Sequence, residues 1–125
     1  VLNTNFAVEQ LELTADRSYL RLCLINLIEN AIKYSTAPVI DISTKVDGST
    51  LFIVIKDNGI GIATEHQKKI FERFYRITDG ELHISKGFGL GLNFVKKVID
   101  THHGKIEVMS EVGKGSSFTI KLSLK

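Results

Sequence analysis

A helical pattern of apolar residues lies in the first third of the chain. These residues recur at steps of three and four, which places them on one side of an α-helix. Asp16 stands just before the pattern, where its side chain is able to cap the first turn. We therefore predict a core-facing helix from about Arg17 to Tyr34. Its apolar side comprises Leu20, Cys23, Leu24, Leu27, Ala31 and Tyr34.

Alternation of apolar and polar residues predicts β-strands elsewhere. The first stretch alternates only loosely and suits a short edge strand. The next two flank the turn pair Asp47-Gly48, and the last two are joined through Gly113 and Gly115, so each pair predicts a hairpin. The strands are expected at residues 6–13, 40–46, 51–55, 105–110 and 117–124.

Two further helices are expected in the second half of the chain. Thr64 is placed to cap a short helix that runs to about Phe74, and residues 90–103 return to helical spacing, with Gly104 at the expected C-cap. Residues 75–86 are polar, contain glycine and show no period, so we expect a mobile loop there. This order of elements predicts an α+β fold, a two-layer sandwich with antiparallel pairing and helices on one face of the sheet.

Composition narrows the class of protein. The chain has 125 residues, which is the size of one domain, so we expect a single domain at 1–125. Its net charge is only +2, and acidic and basic residues are interspersed, so we do not expect nucleic acid as a partner. The lone Cys23 cannot form an internal disulfide, which favours a reducing, cytoplasmic setting. No apolar run has the length of a membrane span. Because the chain begins with Val1 and has no start Met, we expect it to be a fragment of a longer protein.

One edge of the first predicted helix is polar. Asn26, Asn30 and Lys33 fall within roughly 60° of each other at about 100° per residue. Any one of these residues alone is more often a solvated surface residue. Together they offer amide oxygens for Mg²⁺ and an ammonium for phosphate.

Two glycine-containing segments also suggest a ligand site. The first, Asp57 to Ile62, follows a predicted strand and is compatible with an ordinary turn. In the alternative interpretation, the carboxylate of Asp57 binds an exocyclic amine, and the glycines let a flat base approach the backbone. The second, Gly87 to Leu92, precedes a helix and is able to cradle phosphate. Its spacing matches neither the dinucleotide fingerprint nor a Walker loop.

Four motifs resemble those of sensor histidine kinases. NLIENAIKYS at residues 26–35 resembles their asparagine box, and DNGIGI at 57–62 resembles their first glycine box. FERFYR at 71–76 is similar to their phenylalanine box, and KGFGLGL at 86–92 to their second glycine box. The tail at 102–122 also matches the closing strands of the family. The motifs agree in order and spacing over nearly the whole chain.

The resemblance implies the Bergerat-type ATP-binding fold of the GHKL superfamily, a mixed sheet covered on one face by three helices. It implies ATP and Mg²⁺ as cofactors, with Asn30 on the metal, Asp57 on the adenine amine and Arg76 near the γ-phosphate, so that Asn30 and Arg76 are the catalytic candidates. Thr119 is a further candidate for the adenine. The residues expected along the nucleotide are Asn26, Asn30, Lys33, Tyr34, Asp57, Gly59, Gly61, Ile62, Tyr75, Arg76, Lys86, Gly87, Phe88, Gly89, Leu90, Gly91 and Leu92.

The chain departs from the family at two positions and from the hydrolytic branches at a third. Lys86 stands where many members have glycine, and Phe88 replaces Thr or Ser, which puts phosphate contacts from these positions in question. Hydrolytic members carry a Glu one helical turn before the magnesium Asn to orient water, and here that residue is Asn26. Glu29 lies about 100° away around the helix. The resemblance therefore favours phosphotransfer over hydrolysis.

The acceptor imidazole is expected in another part of the protein. None of the four histidines here has the helical context of the family's phosphoacceptor. The implied partners are a helical dimerisation and phosphoacceptor domain and, indirectly, a response regulator. The isolated domain is expected to be a monomer, and the resemblance is compatible with a parent protein anchored in the bacterial inner membrane. The alternatives are a regulatory nucleotide-binding module, a chaperone- or gyrase-type ATPase and a serine kinase of the same superfamily.

Overall fold

A computed structural model describes residues 2–6, 16–72 and 91–124. The described strands are β1 (Leu2–Phe6), β2 (Ile40–Asp47), β3 (Thr50–Asp57), β4 (Lys105–Glu111) and β5 (Gly115–Ser123). The described helices are α1 (Arg17–Lys33), α2 (Thr64–Gln67) and α3 (Gly91–Thr101).

The five described strands form one mixed sheet in the order β1-β2-β3-β5-β4. β1 runs parallel to β2, and all the other neighbours are antiparallel. Successive side chains of a strand point to opposite faces. Because Ile55 pairs with Phe118 and Ile53 with Ile120, the apolar positions of neighbouring strands share one face.

The helices pack on that apolar face. α1 contacts α3, β2 and β3, and α3 also contacts β4. The ring of Phe71, which follows α2, meets Phe118 edge-on at 6.2 Å, so this segment covers the same face. The predicted α+β two-layer fold is therefore confirmed. The core comprises Cys23, Leu27, Ala31, Ile40, Ile55, Ile70, Val95, Val98, Ile99, Ile106, Phe118, Ile120 and Leu122.

The structure confirms α1 almost to the residue. The helix begins at Arg17, and the side chain of Asp16 accepts the backbone N–H of Tyr19. Both hairpins are confirmed as well. No described helix is long and apolar enough to cross a membrane.

The predicted boundaries of β1, α2 and α3 differ from those in the structure. The first described strand lies earlier than expected, at Leu2–Phe6, where parallel pairing with β2 defines it, and residues 7–13 of the prediction lie outside the described residues. α2 ends at Gln67 rather than near Phe74, and its cap position is Ala63, which has no side chain to accept a hydrogen bond.

The C-terminus of α3 also differs from the prediction. His103, not Gly104, has the left-handed backbone, with φ 58°. Gly104 is needed for a different reason, since a Cβ there would lie 2.5 Å from the carbonyl oxygen of Lys121. The glycine therefore permits close approach between the end of α3 and β5.

Candidate nucleotide-binding site

The polar edge of α1 faces the beginning of α3. Asn26 and Asn30 are half-buried and lie one helical turn apart on this edge. A Cβ placed on Gly91 would lie 3.7 Å from Asn26 Oδ1, so the two helices approach each other here. Lys33 is exposed, with Nζ 5.6 Å from the centroid of the Tyr34 ring. The edge thus presents two side-chain amides and one cation.

Asp57 ends β3 on the same face of the sheet as the helices. It pairs with Ile40 on one side and Ser116 on the other, and Ser116 pairs with Ser110. Asp57 Oδ1 accepts the N–H of Gly59 at 2.8 Å and that of Ser116 at 3.3 Å. Among the described residues no hydrogen bond reaches Oδ2, which leaves this oxygen able to accept from a ligand.

The segment after Asp57 is attached to the end of α1. Ile60 donates its N–H to the carbonyl of Tyr34 at 3.1 Å. A Cβ on Gly59 would lie 2.7 Å from that carbonyl oxygen and 2.9 Å from Ser35 Oγ, closer than real side chains approach. Only glycine fits, and the absence of a side chain lets the segment after Asp57 pack against the C-terminal end of α1.

The same segment is attached to the β4–β5 hairpin. Gly113 donates its N–H to the carbonyl of Ile60 at 2.8 Å, and Ile62 donates its N–H to Ser110 Oγ at 2.7 Å. Gly61 has φ 78°, a conformation that favours glycine. Asp57, Gly59, Gly61 and Ile62 are therefore held between α1 and the second hairpin.

The other expected residues divide into two groups. Gly91 and Leu92 form the first turn of α3, and Leu92 packs against the core. The expected loop at 75–86, and seven residues of the proposed site, lie outside the described residues, so their roles stay predictions. These seven are Tyr75, Arg76, Lys86, Gly87, Phe88, Gly89 and Leu90.

The structure adds residues that the sequence analysis missed. Ser116 lies beside Asp57, whereas Thr119, the expected adenine contact on β5, lies on the opposite face of the sheet. Ser110 and Gln67 bind the glycine segment, and Asn93 Nδ2 donates to the carbonyl of Phe71 at 3.0 Å. A cross-strand alignment of the two hairpins would have found Ser110 and Ser116, because their register with Asp57 puts them in one row.

The available ligands suit a magnesium nucleotide. No cluster of three or more His, Cys, Asp or Glu in the described chain could hold a metal by itself. Mg²⁺ commonly keeps several waters and takes few protein ligands together with substrate phosphates. The side-chain amide oxygens of Asn26 and Asn30 fit that chemistry, and the acceptor at Asp57 fits an amine on a base.

Comparison with known proteins agrees with this geometry. Residues 15–125 match the family described as histidine kinase-, DNA gyrase B- and HSP90-like ATPases. Sensor protein RprX of Bacteroides fragilis is 44% identical over 113 residues, which make up 88% of this chain and 22% of RprX. The chain thus spans less than a quarter of that relative.

Solved structures of histidine kinases are also similar to this chain. The catalytic domain of histidine kinase ThkA has a TM-score of 0.84 at 29% identity, over 98% of this chain and 79% of that one. Full-length ShkA in complex with AMPPNP has a TM-score of 0.78 at 26% identity, over 99% of this chain and 26% of ShkA.

The chain therefore belongs to the family of histidine kinase-, DNA gyrase B- and HSP90-like ATPases. Within this family its relatives are sensor histidine kinases, and the chain is a catalytic, ATP-binding domain of the histidine kinase type. The resemblance found in the sequence motifs is confirmed.

Proposed function

We propose that this domain binds ATP with Mg²⁺ and transfers the γ-phosphate to a histidine on a separate dimerisation and phosphoacceptor domain in two-component signal transduction. The observation that carries the proposal is the meeting of three elements on one face of the sheet: the amide edge of α1, the carboxylate of Asp57 and the beginning of α3.

Asp57 is the proposed base-recognition residue. Its Oδ1 is held by two backbone N–H groups, which fixes the carboxylate and leaves Oδ2 able to accept a hydrogen bond from a ligand. A carboxylate accepts hydrogen bonds only, which matches the exocyclic amine of adenine and opposes the keto oxygen of guanine. Gly59, Gly61 and Ile62 line the approach of the base, with Tyr34 alongside.

The phosphates are proposed to lie between α1 and α3. Asn30 would hold Mg²⁺, which would supply positive charge to neutralise the phosphates. Asn26, Lys33 and the N-terminal turn of α3 would contact the phosphates directly, since amides, an ammonium and free backbone N–H groups all suit oxyanions. Arg76 near the γ-phosphate and the segment from Tyr75 to Leu90 complete the proposed site.

Phosphotransfer is favoured over hydrolysis because α1 presents no placed base for water. Asn26 occupies the position of the hydrolytic Glu, and an amide does not take a proton as a carboxylate does. The nearest acid on α1, Glu29, is exposed. Catalysis would therefore consist of positioning and charge neutralisation, with a neutral imidazole as the nucleophile.

That imidazole is proposed to come from another domain. The Nε2 of His102 accepts the N–H of Asp16 at 2.8 Å, so Nδ1 carries the proton and donates to the carbonyl of Val98 at 2.8 Å. Both nitrogens are occupied, which argues against a phosphoacceptor role for His102. A response regulator would then receive the phosphate, with the domain acting on the cytoplasmic side and monomeric by itself.

Labelled ATP tests the proposal. The domain is mixed with Mg²⁺, γ-labelled ATP and a helical phosphoacceptor domain, and label on the acceptor is compared with label released as inorganic phosphate. We expect acid-labile label on the acceptor in the wild type and in Glu29→Ala, and a loss of at least about 100-fold in Asn30→Ala. Brisk release of inorganic phosphate would favour an ATPase instead, and nucleotide binding without transfer would favour a regulatory module.

A further inference from the structure

The hydroxyl of Ser110 lies at the centre of a hydrogen-bond network that joins three segments. Its Oγ accepts the N–H of Ile62 at 2.7 Å and donates to the carbonyl of Gly115 at 2.8 Å. Ser116 Oγ lies 2.8 Å away. A serine hydroxyl has one hydrogen and two lone pairs, so with its hydrogen on Gly115 it accepts from Ser116. The hydrogen-bonding capacity of Ser110 is thereby filled.

Gln67 extends this network to α2. Its Nε2 donates to the carbonyl of Ile62 at 2.8 Å and to that of Ser110 at 3.0 Å. One side-chain amide thus binds the backbone of both the glycine segment and β4. Gln67 and Ser110 are half-buried and Ser116 is 7% exposed, so water competes little for these bonds.

The network reaches the carboxylate of Asp57 indirectly. Ser110 and Gln67 do not bond to this carboxylate, but they bind the segments whose backbone N–H groups do. Asp57 Oδ1 accepts from the backbone of Ser116, whose hydroxyl is bound by Ser110. It also accepts from the backbone of Gly59, which belongs to the segment that Ser110 and Gln67 hold at Ile62. Both groups that orient the carboxylate are therefore fixed from β4 and α2.

We propose that Ser110 and Gln67 are positioning residues for base selection. Through Ser116 and the glycine segment, they hold the carboxylate of Asp57 where it accepts a hydrogen bond from the exocyclic amine of the bound adenine. The inference rests on the proposed function, in which Asp57 binds that amine. It predicts that losing either residue changes which base the site prefers, and not only how tightly nucleotides bind.

Binding of ATP and inosine triphosphate tests the inference, because the base of inosine triphosphate has a keto oxygen where adenine has the amine. In Ser110→Ala we expect ATP affinity to fall about 3- to 10-fold, with a much smaller change for inosine triphosphate. Gln67→Met, which removes the two donors, should act in the same direction. Ser110→Thr retains the hydroxyl and should restore the preference. Ser117→Ala, on the opposite face of β5, is the matched control.

Amide hydrogen exchange without nucleotide provides a second readout. Exchange at Ile62 should be faster in Ser110→Ala by about 10-fold, while the amide of Leu124, bonded to Ser49 at the far end of the sheet, should be unchanged. A wild type that binds neither nucleotide would refute the proposed function. A wild type that prefers ATP, with equal losses for both nucleotides in the Ser110 and Gln67 variants or an unchanged Ile62 amide, would overturn the positioning role alone.

Discussion

Cys23 lies in the core between α1 and the sheet, fully buried. Burial raises the pKa of its thiol from the ordinary value of 9.0 to about 11. Between these values the folded protein keeps a proton that the unfolded chain has lost, so each pH unit there favours unfolding by about 1.4 kcal/mol. The contribution of the thiol to stability is complete below the unfolded pKa and is lost as pH rises through this window.

Urea unfolding at about pH 8 and about pH 10.5 measures this loss. We expect the free energy of unfolding of the wild type to fall by about 2 kcal/mol more than that of Cys23→Ala over the interval. The comparison removes the titration of lysines and tyrosines, which both proteins share. An equal fall in both would show that the thiol does not titrate differently on folding.

The turn between β4 and β5 offers a matched pair of glycines. Gly115 has φ 113°, and a Cβ there would collide with the carbonyl oxygen of Asp57. Gly113 has φ 84° but open space around it. We expect Gly115→Ala to lower the free energy of unfolding by about 3 kcal/mol or more, and Gly113→Ala by about 1 kcal/mol, measured by urea unfolding. Equal losses would mean that the approach to Asp57 is looser than the structure has it.

Single residues could be predicted from the sequence where a motif names them. Asn26, Asn30 and Asp57 were proposed in that way, and the structure packs the end of α1 against the segment after Asp57 and Asn26 against the beginning of α3. Ser110 was missed because its role appears only when β4 is aligned with β5 and β3. Gln67 could not be found, because its role depends on the path of the chain after Ile62. Thr119 was misjudged for the same reason, since one step along a strand reverses the face.

At the scale of elements, α1 depends on its N-terminal cap. The carboxylate of Asp16 accepts the N–H of Tyr19 at 3.0 Å, which satisfies one of the donors that the first helical turn leaves unpaired. Asp16→Ala should lower the free energy of unfolding by about 1 kcal/mol, whereas Asp16→Asn, which keeps an acceptor, should cost much less. Thermal unfolding followed by circular dichroism measures both. Equal losses in the two variants would refute the capping role.

The quality of the element predictions follows the strength of the local signals. α1 has a cap and a long apolar side, and β2 and β3 have strong alternation around Asp47-Gly48, so their positions were predicted well. β1 is short and takes its position from pairing with β2, which no local pattern shows. α2 is shorter than predicted because no side chain caps it and tertiary contacts of Ile70 and Phe71 replace helical turns.

At the scale of the whole molecule, the sheet has an apolar end and a polar end on its helix-covered face. Leu51, Ile53 and Ile55 are apolar along β3, and the strand then ends in Asp57. Neighbouring β5 shows the same change at Ser116. The core and the proposed pocket are therefore consecutive parts of one surface, and the proposed nucleotide site begins where the apolar packing stops.

The most direct test of a pocket built around Asp57 is a calorimetric titration with ATP and Mg²⁺. The wild type should bind, and Asp57→Asn should bind at least about 10-fold more weakly, because the amide replaces one acceptor by a donor that repels the adenine amine. Asp47→Asn, the same substitution at the exposed hairpin end of β2, should bind as the wild type does. Undiminished affinity in Asp57→Asn, or no binding by the wild type, would contradict the account.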